Sequence, residues 1–175
     1  MKMVLDGNAL TLAKYIVTKC AKEDHPISNF MLQKILYFVQ MKSFSTRDEG
    51  AFFDEFEAWK IGPVLPNVYY YFCRCGALPI LDTYSVEGLT GLDKLLVDNV
   101  VETTYTMNPL DLMEESEVKD GPWDIVYNQR GGKEKKYIKD AIPYEWLHEY
   151  ARHGILDIKE EATEAHMKKW YEFWK

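Results

Sequence analysis

Leu32-Gln33-Lys34-Ile35-Leu36-Tyr37-Phe38 is the stretch on which the fold turns. With Met31 and Val39, its apolar residues cover an unusually wide arc of a helix. Such an arc predicts contact on more than one side, and so a central helix. Ser28 or Asn29 suits its start, and Pro26 holds the preceding residue extended. Gln33 and Lys34 interrupt the arc. A buried Gln33 needs hydrogen-bond partners, expected on the strand backbone near Trp59. Lys34 is expected to lay its stem over apolar surface and keep its amine for an acidic group. For both residues a packing role and a binding role stay open.

Some twenty residues on comes a second dense segment, Phe56-Glu57-Ala58-Trp59-Lys60-Ile61-Gly62-Pro63-Val64, continuing to Pro66 and Tyr69. Glu55 to Lys60 reads as a short strand that Gly62-Pro63 ends. Ser43 to Gly50 before it reads as a loop. Pro66 suits the first turn of a helix, with Val68, Tyr69, Phe72 and Cys73 on its buried face and Gly76 ending it. Pro79-Ile80-Leu81 is expected to pair with the 55–60 strand.

Upstream, Asn8 suits the cap of a helix with Leu10, Ala13, Ile16, Val17 and Cys20 at helical spacing. Downstream, Asp93 to Thr104 reads as a helix packed through Leu92, Leu95, Leu96, Asn99 and Val100. Asn108-Pro109 starts a short helix through Leu110 and Met113. Asp120-Gly121-Pro122 is a turn before Trp123, Ile125, Val126 and Tyr127. Arg130 to Lys136 is a glycine-rich basic loop. Ile142-Pro143 precedes a helix with Trp146, Leu147, Tyr150 and Ala151 that stops at Gly154. From Ile158 an amphipathic helix carries Trp170, Phe173 and Trp174. The fold class is mainly α: a compact helical domain with a small two- or three-stranded β-sheet. The expected division is a domain over 1–154 and an appended helix over 155–175.

The 175 residues suffice for one sizeable core, and 47% hydrophobic content argues against disorder. A formal charge of −7 opposes non-specific nucleic-acid binding, which needs a phosphate-neutralising surface, and suits a basic protein partner. Three cysteines, an odd number, make no disulfide framework. Met3-Val4-Leu5 is the apolar run before Asp6, no stretch approaches a membrane span, and the expected location is the cytoplasm.

Catalytic signatures are missing. No dinucleotide or phosphate-loop glycine pattern appears. Glu145-x-x-His148 and Glu149-x-x-x-His153 are helix-spaced but make only pairs, so no metal site and no cofactor are expected. Cys20, Cys73 and Cys75 read as structural, and Glu114-Glu115-Glu117 reads as a solvated helix end. The aromatic load (12 Tyr, 8 Phe and 5 Trp) serves cores and interfaces alike, and Trp59 fits either.

The two segments that carry this reading resemble the Panacea antitoxin domain, found in SocA-like antitoxins and in GepA-like phage-associated proteins. Its first motif resembles Ile27-Ser28-Asn29 through Leu32 to Phe38. Its second resembles Phe56-Glu57-Ala58-Trp59 with Gly62-Pro63-Val64 and Pro66-x-x-Tyr69. Its third resembles Gly121-Pro122-Trp123 with the 138–150 helix entry. The resemblance covers roughly 8–151. Members often carry Ser or Thr followed by His before the Pro-Trp pair; Ser116-Glu117 stands here, so no role of that histidine carries over.

The resemblance implies a non-enzymatic antitoxin that neutralises a cognate toxin by direct contact. SocA-like members also deliver a bound toxin to the ClpXP protease. The expected partner surface comprises Gln33, Lys34, Tyr37, Trp59, Gly62, Pro63, Tyr69 and Trp123, with Trp170 and Trp174 from the last helix. Self-association into a homo-oligomer stays open. The alternatives are a protease adaptor or phage-encoded host-interaction protein without a toxin, and an enzyme whose polar pocket joins Gln33, Lys34 and Glu57.

Overall fold

A computed structural model describes residues 9–130 and 140–154 of the chain. Two helices open the fold, α1 over Ala9–Lys22 and α2 over Asn29–Arg47. A hairpin follows, β1 over Glu57–Trp59 and β2 over Gly62–Val64, then helix α3 over Pro66–Phe72 with a tighter turn at Cys73–Cys75. Helices α4 (Gly91–Thr104) and α5 (Pro109–Ser116) lead to α6 (Pro122–Asp124), which runs on as a π-helical stretch, Ile125–Arg130. Strand β3 (Asp140–Ala141) and helix α7 (Tyr144–His153) complete the described residues. The architecture is the expected one, mainly helical around a small antiparallel sheet of order β2-β1-β3.

α2 is the axis of the molecule. It packs against α1, α3, α4, α5, α7 and β2, and its residues from Met31 to Met41 are all buried. Ser28 caps it by accepting from Met31 N at 3.2 Å. A helix enclosed on every side has no solvent face for polar side chains. Those it carries must find protein partners.

They find the backbone of the segment that follows. Asn29 Nδ2 donates to Tyr69 O at 2.9 Å, and Gln33 Oε1 accepts from Leu65 N at 2.9 Å. Gln40 accepts from Ala51 N (2.8 Å) and Phe52 N (3.3 Å) and donates to Phe52 O (3.0 Å). Ser43 Oγ donates to Glu49 O at 2.6 Å. This polar seam templates residues 49–69, a region with too little regular structure to satisfy its own amides.

Several local expectations change. α2 continues through Arg47 and ends at Asp48 in the left-handed conformation (φ 60°), so the loop begins later than Ser43. The buried Phe44, meeting Tyr144 edge-on at 4.9 Å, supplies the packing that extends it. Gly62-Pro63 does not end the strand but begins its partner: the Lys60-Ile61 turn pairs Trp59 with Gly62 and Ala58 with Pro63. Gly62 has φ 90°, a value glycine tolerates and side chains resist.

The third strand is not Pro79-Ile80-Leu81. Ile80 is buried against the entry to α2, its N–H donating to Ile27 O at 2.8 Å, and Pro79 bridges Ser28. β3 pairs with β1 instead, with Ile142 N donating to Phe56 O at 2.7 Å.

Three helix faces also differ from expectation. On α4 the buried residues are Asp93, Val97, Val100, Val101 and Thr104, whereas Leu92 and Leu95 are 71% and 66% exposed and Asn99 is exposed. Asp93 sets the rotation, because it caps the helix with Thr90 and meets Arg47 of α2. On α3, Cys73 is exposed because the chain tightens into a three-residue turn after Phe72 and leaves the α-helical stripe. On α5, Leu112 is the buried apolar residue and Leu110 is exposed. The N–H of Ala9 donates to Asp54 Oδ2 at 2.8 Å, a cap supplied from a distant loop; Asn8 lies outside the described residues, as does the helix expected from Ile158.

Candidate partner-binding surface

The hairpin is held from three directions. Gln33 takes the amide of Leu65, where β2 runs into α3, and its Nε2 donates to Asn29 Oδ1 at 3.1 Å. The backbone partner of Gln33 thus lies one residue past β2, at the N-cap of α3, rather than on the strand beside Trp59 as expected. Trp123 Nε1 donates to Trp59 O at 2.8 Å, with its ring stacked on Tyr127 at 4.7 Å. Lys34, fully buried at 0% exposure, donates through Nζ to Ile61 O and, at 3.4 Å, to Pro63 O.

This arrangement corrects the expected use of Lys34. Its amine is not free, since it satisfies two carbonyls of the hairpin, though an acidic group does act on it. Burial pulls the amine down to about 7, an effect that Glu117 opposes. Glu117, at the end of α5, faces it. Its Oε1 is buried with no hydrogen-bond partner. Burial pushes this carboxyl up to about 7, against the pull of Lys34 and assisted by repulsion from Glu114. Glu117 therefore departs from the solvated helix end expected of the acidic cluster, because the turn after α5 folds it back toward the hairpin.

Gly62 makes the approach possible. A Cβ there would collide with Lys34 Nζ and crowd Glu117 Oε1 and Ser116 Oγ, each 3.1 Å away. The glycine answers two demands at once: a positive φ and room for a buried amine.

The gripped hairpin presents an aromatic group. Trp59 is half-buried and Tyr69 meets it edge-on at 4.9 Å. Tyr70, 56% exposed, lies 6.1 Å from Trp59 and 5.6 Å from Tyr69. Trp59 Nε1 donates to Glu57 Oε2 at 2.6 Å, fixing the indole and placing a carboxylate at its edge. Rigid half-exposed Trp and Tyr side chains are the residue types that anchor protein interfaces.

Of the residues singled out from sequence, Trp59, Tyr69 and Trp123 meet at this hairpin and its flank. Gln33, Lys34, Gly62 and Pro63 lie buried beneath it. Tyr37 is deeper still, edge-on to Phe38 and Phe56 at 5.5 and 5.6 Å, and burial raises its hydroxyl far above the usual tyrosine range. Trp170 and Trp174 lie outside the described residues. Glu117 and Tyr70 belong to the same neighbourhood and escaped the sequence reading. For Glu117 the available signal was the departure from the family pattern at Ser116-Glu117. A surface tyrosine in a Tyr-Tyr-Tyr run carries no such mark.

Gln33 and Lys34 do not form a polar pocket with Glu57. Lys34 is engaged by hairpin carbonyls, Gln33 by Leu65 N and Asn29, and Glu57 by Trp59. His148, helix-spaced with Glu145, instead meets Asp48 at 2.7 Å. Among the described residues no helix is long and apolar enough to cross a membrane, and no group of three His, Cys, Asp or Glu is arranged to hold a metal ion.

Comparison with known proteins matches residues 32–124 to the family described as Antitoxin SocA-like, Panacea domain. That span starts at Leu32 in α2 and ends at Asp124 beside Trp123, so it contains all three holds on the hairpin. Antitoxin SocA of Caulobacter vibrioides (strain NA1000 / CB15N) is 30% identical over 174 residues, covering 89% of this chain and 93% of that protein. No solved structure matches the chain.

Proposed function

Because the chain belongs to the SocA-like Panacea antitoxin family, we propose that it neutralises a cognate toxin by direct protein contact, without making or breaking a bond. The surface is the β1–β2 hairpin with the start of α3. Trp59, Tyr69 and Tyr70 make the contact, while Gln33, Lys34, Tyr37, Gly62, Pro63 and Trp123 act by holding them in place. Trp170 and Trp174 contribute further toxin contacts. The protein works in the cytoplasm, where its toxin is made.

The single observation that carries this reading is the convergence of three side chains, from two separate stretches, on one hairpin. Gln33 and Lys34 hold it at Leu65, Ile61 and Pro63, and Trp123 holds it at Trp59. Pre-organising an interface lowers the entropy lost on binding. A rigid aromatic cluster on such a base suits recognition by shape.

Co-expression with the product of the adjacent open reading frame is the test. The wild-type chain should abolish that product's toxicity and co-purify with it. Trp59→Ala with Tyr70→Ala should weaken the complex by ~100-fold or more, as loss of two interface anchors does, and leave the fold intact by circular dichroism. Unchanged toxicity with no co-purification refutes neutralisation. Recovery of a ClpXP-type protease and no toxin would replace it with protease delivery.

A further inference from the structure

We infer that Lys34 and Glu117 are a linked pair of positioning residues: the Lys34 amine fixes the hairpin by its carbonyls, and the Glu117 carboxyl across Gly62 governs whether that amine stays charged, so the hairpin follows proton uptake.

The geometry is specific. Lys34 Nζ has two acceptors, Ile61 O and Pro63 O, and both are backbone of the hairpin. An ammonium binds two carbonyls more firmly than a neutral amine does, because charge-assisted hydrogen bonds are roughly twice as strong. Neither carbonyl carries a full negative charge. The counter-charge comes from Glu117, whose buried Oε1 has no hydrogen-bond partner. Both groups crowd the space over Gly62. They form no salt bridge or shared hydrogen bond, so they couple through the low-dielectric interior.

Few other charges act on this pair. The charge that acts on Lys34 is Glu117; the charges that act on Glu117 are Lys34 and Glu114 of its own helix. Phe30 offers its ring to the Lys34 amine at 5.4 Å. Several other charged and titratable groups of the packed elements are engaged elsewhere. Asp93 of α4 meets Arg47, Lys19 of α1 meets Glu23, and Glu57 of β1 meets Trp59. His148 and Arg152 of α7 meet Asp48, and Tyr144 of α7 accepts from Gly50 N. Tyr150 of α7 acts on Tyr37. Burial drives the amine and the carboxyl toward neutrality in opposite directions, and both titrate close to neutral pH. Below neutrality the pair holds two protons, and the hairpin encloses a charged amine that burial disfavours; above it the pair loses them, and the hairpin encloses a charged carboxyl instead.

Amide hydrogen exchange of the hairpin in the free full-length protein, corrected for intrinsic rates over a pH series, tests this without any partner. Wild-type protection should pass through a minimum near neutrality, because opening favours the ionised carboxyl below it and the protonated amine above it. In Glu117→Gln the fall on the acid side should be lost, and the rise on the basic side should begin about one pH unit or more lower. In Lys34→Arg, whose guanidinium does not deprotonate, the rise above neutrality should be lost. A flat wild-type profile, or a Glu117→Gln profile that keeps the wild-type minimum, overturns the proposal. Should the Lys34 variant fail to fold, direct NMR titration of the Lys34 side-chain nitrogen in wild type and Glu117→Gln decides it: coupled midpoints support the pair and equal ones reject it. Because these readouts involve no toxin, they fail or succeed independently of the neutralisation reading.

Discussion

At its C-terminal end, α2 meets α4 through Arg47 and Asp93. Guanidinium and carboxylate touch at 2.9 Å, Ser43 shares the guanidinium, and Thr90 bonds the carboxylate at 2.6 Å. Midway along the same helix, Lys34 and Glu117 stand apart, the lysine buried and the glutamate partly so, with the amine on carbonyls and one carboxylate oxygen on nothing. The two regions hold the same kinds of charge in opposite ways. Direct contact keeps Asp93 ionised: although burial raises it, bonds from Thr90 and Arg47 win and hold the carboxyl below its usual range. At Lys34 and Glu117 the separation weakens the mutual attraction, and the loss of water prevails over it. The first arrangement fastens two helices. The second ties a charge to the hairpin.

Crowding the hairpin pair should do most damage. Gly62→Val forces a branched side chain into a positive φ and onto Lys34 and Glu117; a loss of ~3–5 kcal/mol in urea denaturation is expected, the range for disrupting a buried charge pair. Gly154→Ala is the control. It too has positive φ, but only at the C-cap of α7, and should lose ~1–2 kcal/mol. Equal losses would mean that backbone strain alone explains Gly62.

A pH series separates the two regions by sign. Glu117 is raised in the fold, so its contribution is full below the ordinary carboxylate range and is lost as pH rises through about 7. Lys34 is lowered, so its contribution is full only above the ordinary lysine range and is lost as pH falls through about 7. Together they predict a shallow stability minimum near neutrality, seen as a dip in melting temperature and absent in Lys34→Met with Glu117→Gln. Asp93 acts the other way: its contribution is present above the ordinary carboxylate range and lost on acidification below it.

Breaking the direct pair should cost less. Asp93→Asn removes the charge on Arg47 and leaves part of the Thr90 cap, for a loss of ~1–2 kcal/mol. Smallest is the exposed group beside it. Asp48 receives His148 at 2.7 Å and Arg152 at 2.9 Å, but at the surface, and His148→Ala should cost ~0–1 kcal/mol and fade in high salt. A larger cost for His148→Ala than for Asp93→Asn would reverse the ranking by burial.

The central helix was legible because its apolar residues run around the whole helix, which only burial on several sides explains. Gln33 was legible for the same reason: an amide in that arc demands a backbone partner. The third strand was not. Two residues at 140–141 carry no periodicity, and Pro79-Ile80-Leu81 looks more extended than they do; which one reaches β1 depends on how α2 and α7 seat. The face of α4 was misleading because leucines outweigh an aspartate in any apolar pattern. Here the aspartate fixes the rotation by its bond to Arg47. Glu117 was hidden because an acidic run at a helix end usually meets water.

What the sequence determined by itself is the enclosed α2, the mainly helical class and the two motifs on which family membership rests, since each follows from local spacing and residue type. What only the tertiary structure decided is where the polar residues of α2 point, which strand completes the sheet and which carboxylate faces the buried amine. Those depend on contacts between residues far apart in the chain, and no local pattern encodes the distance at which two charges come to rest.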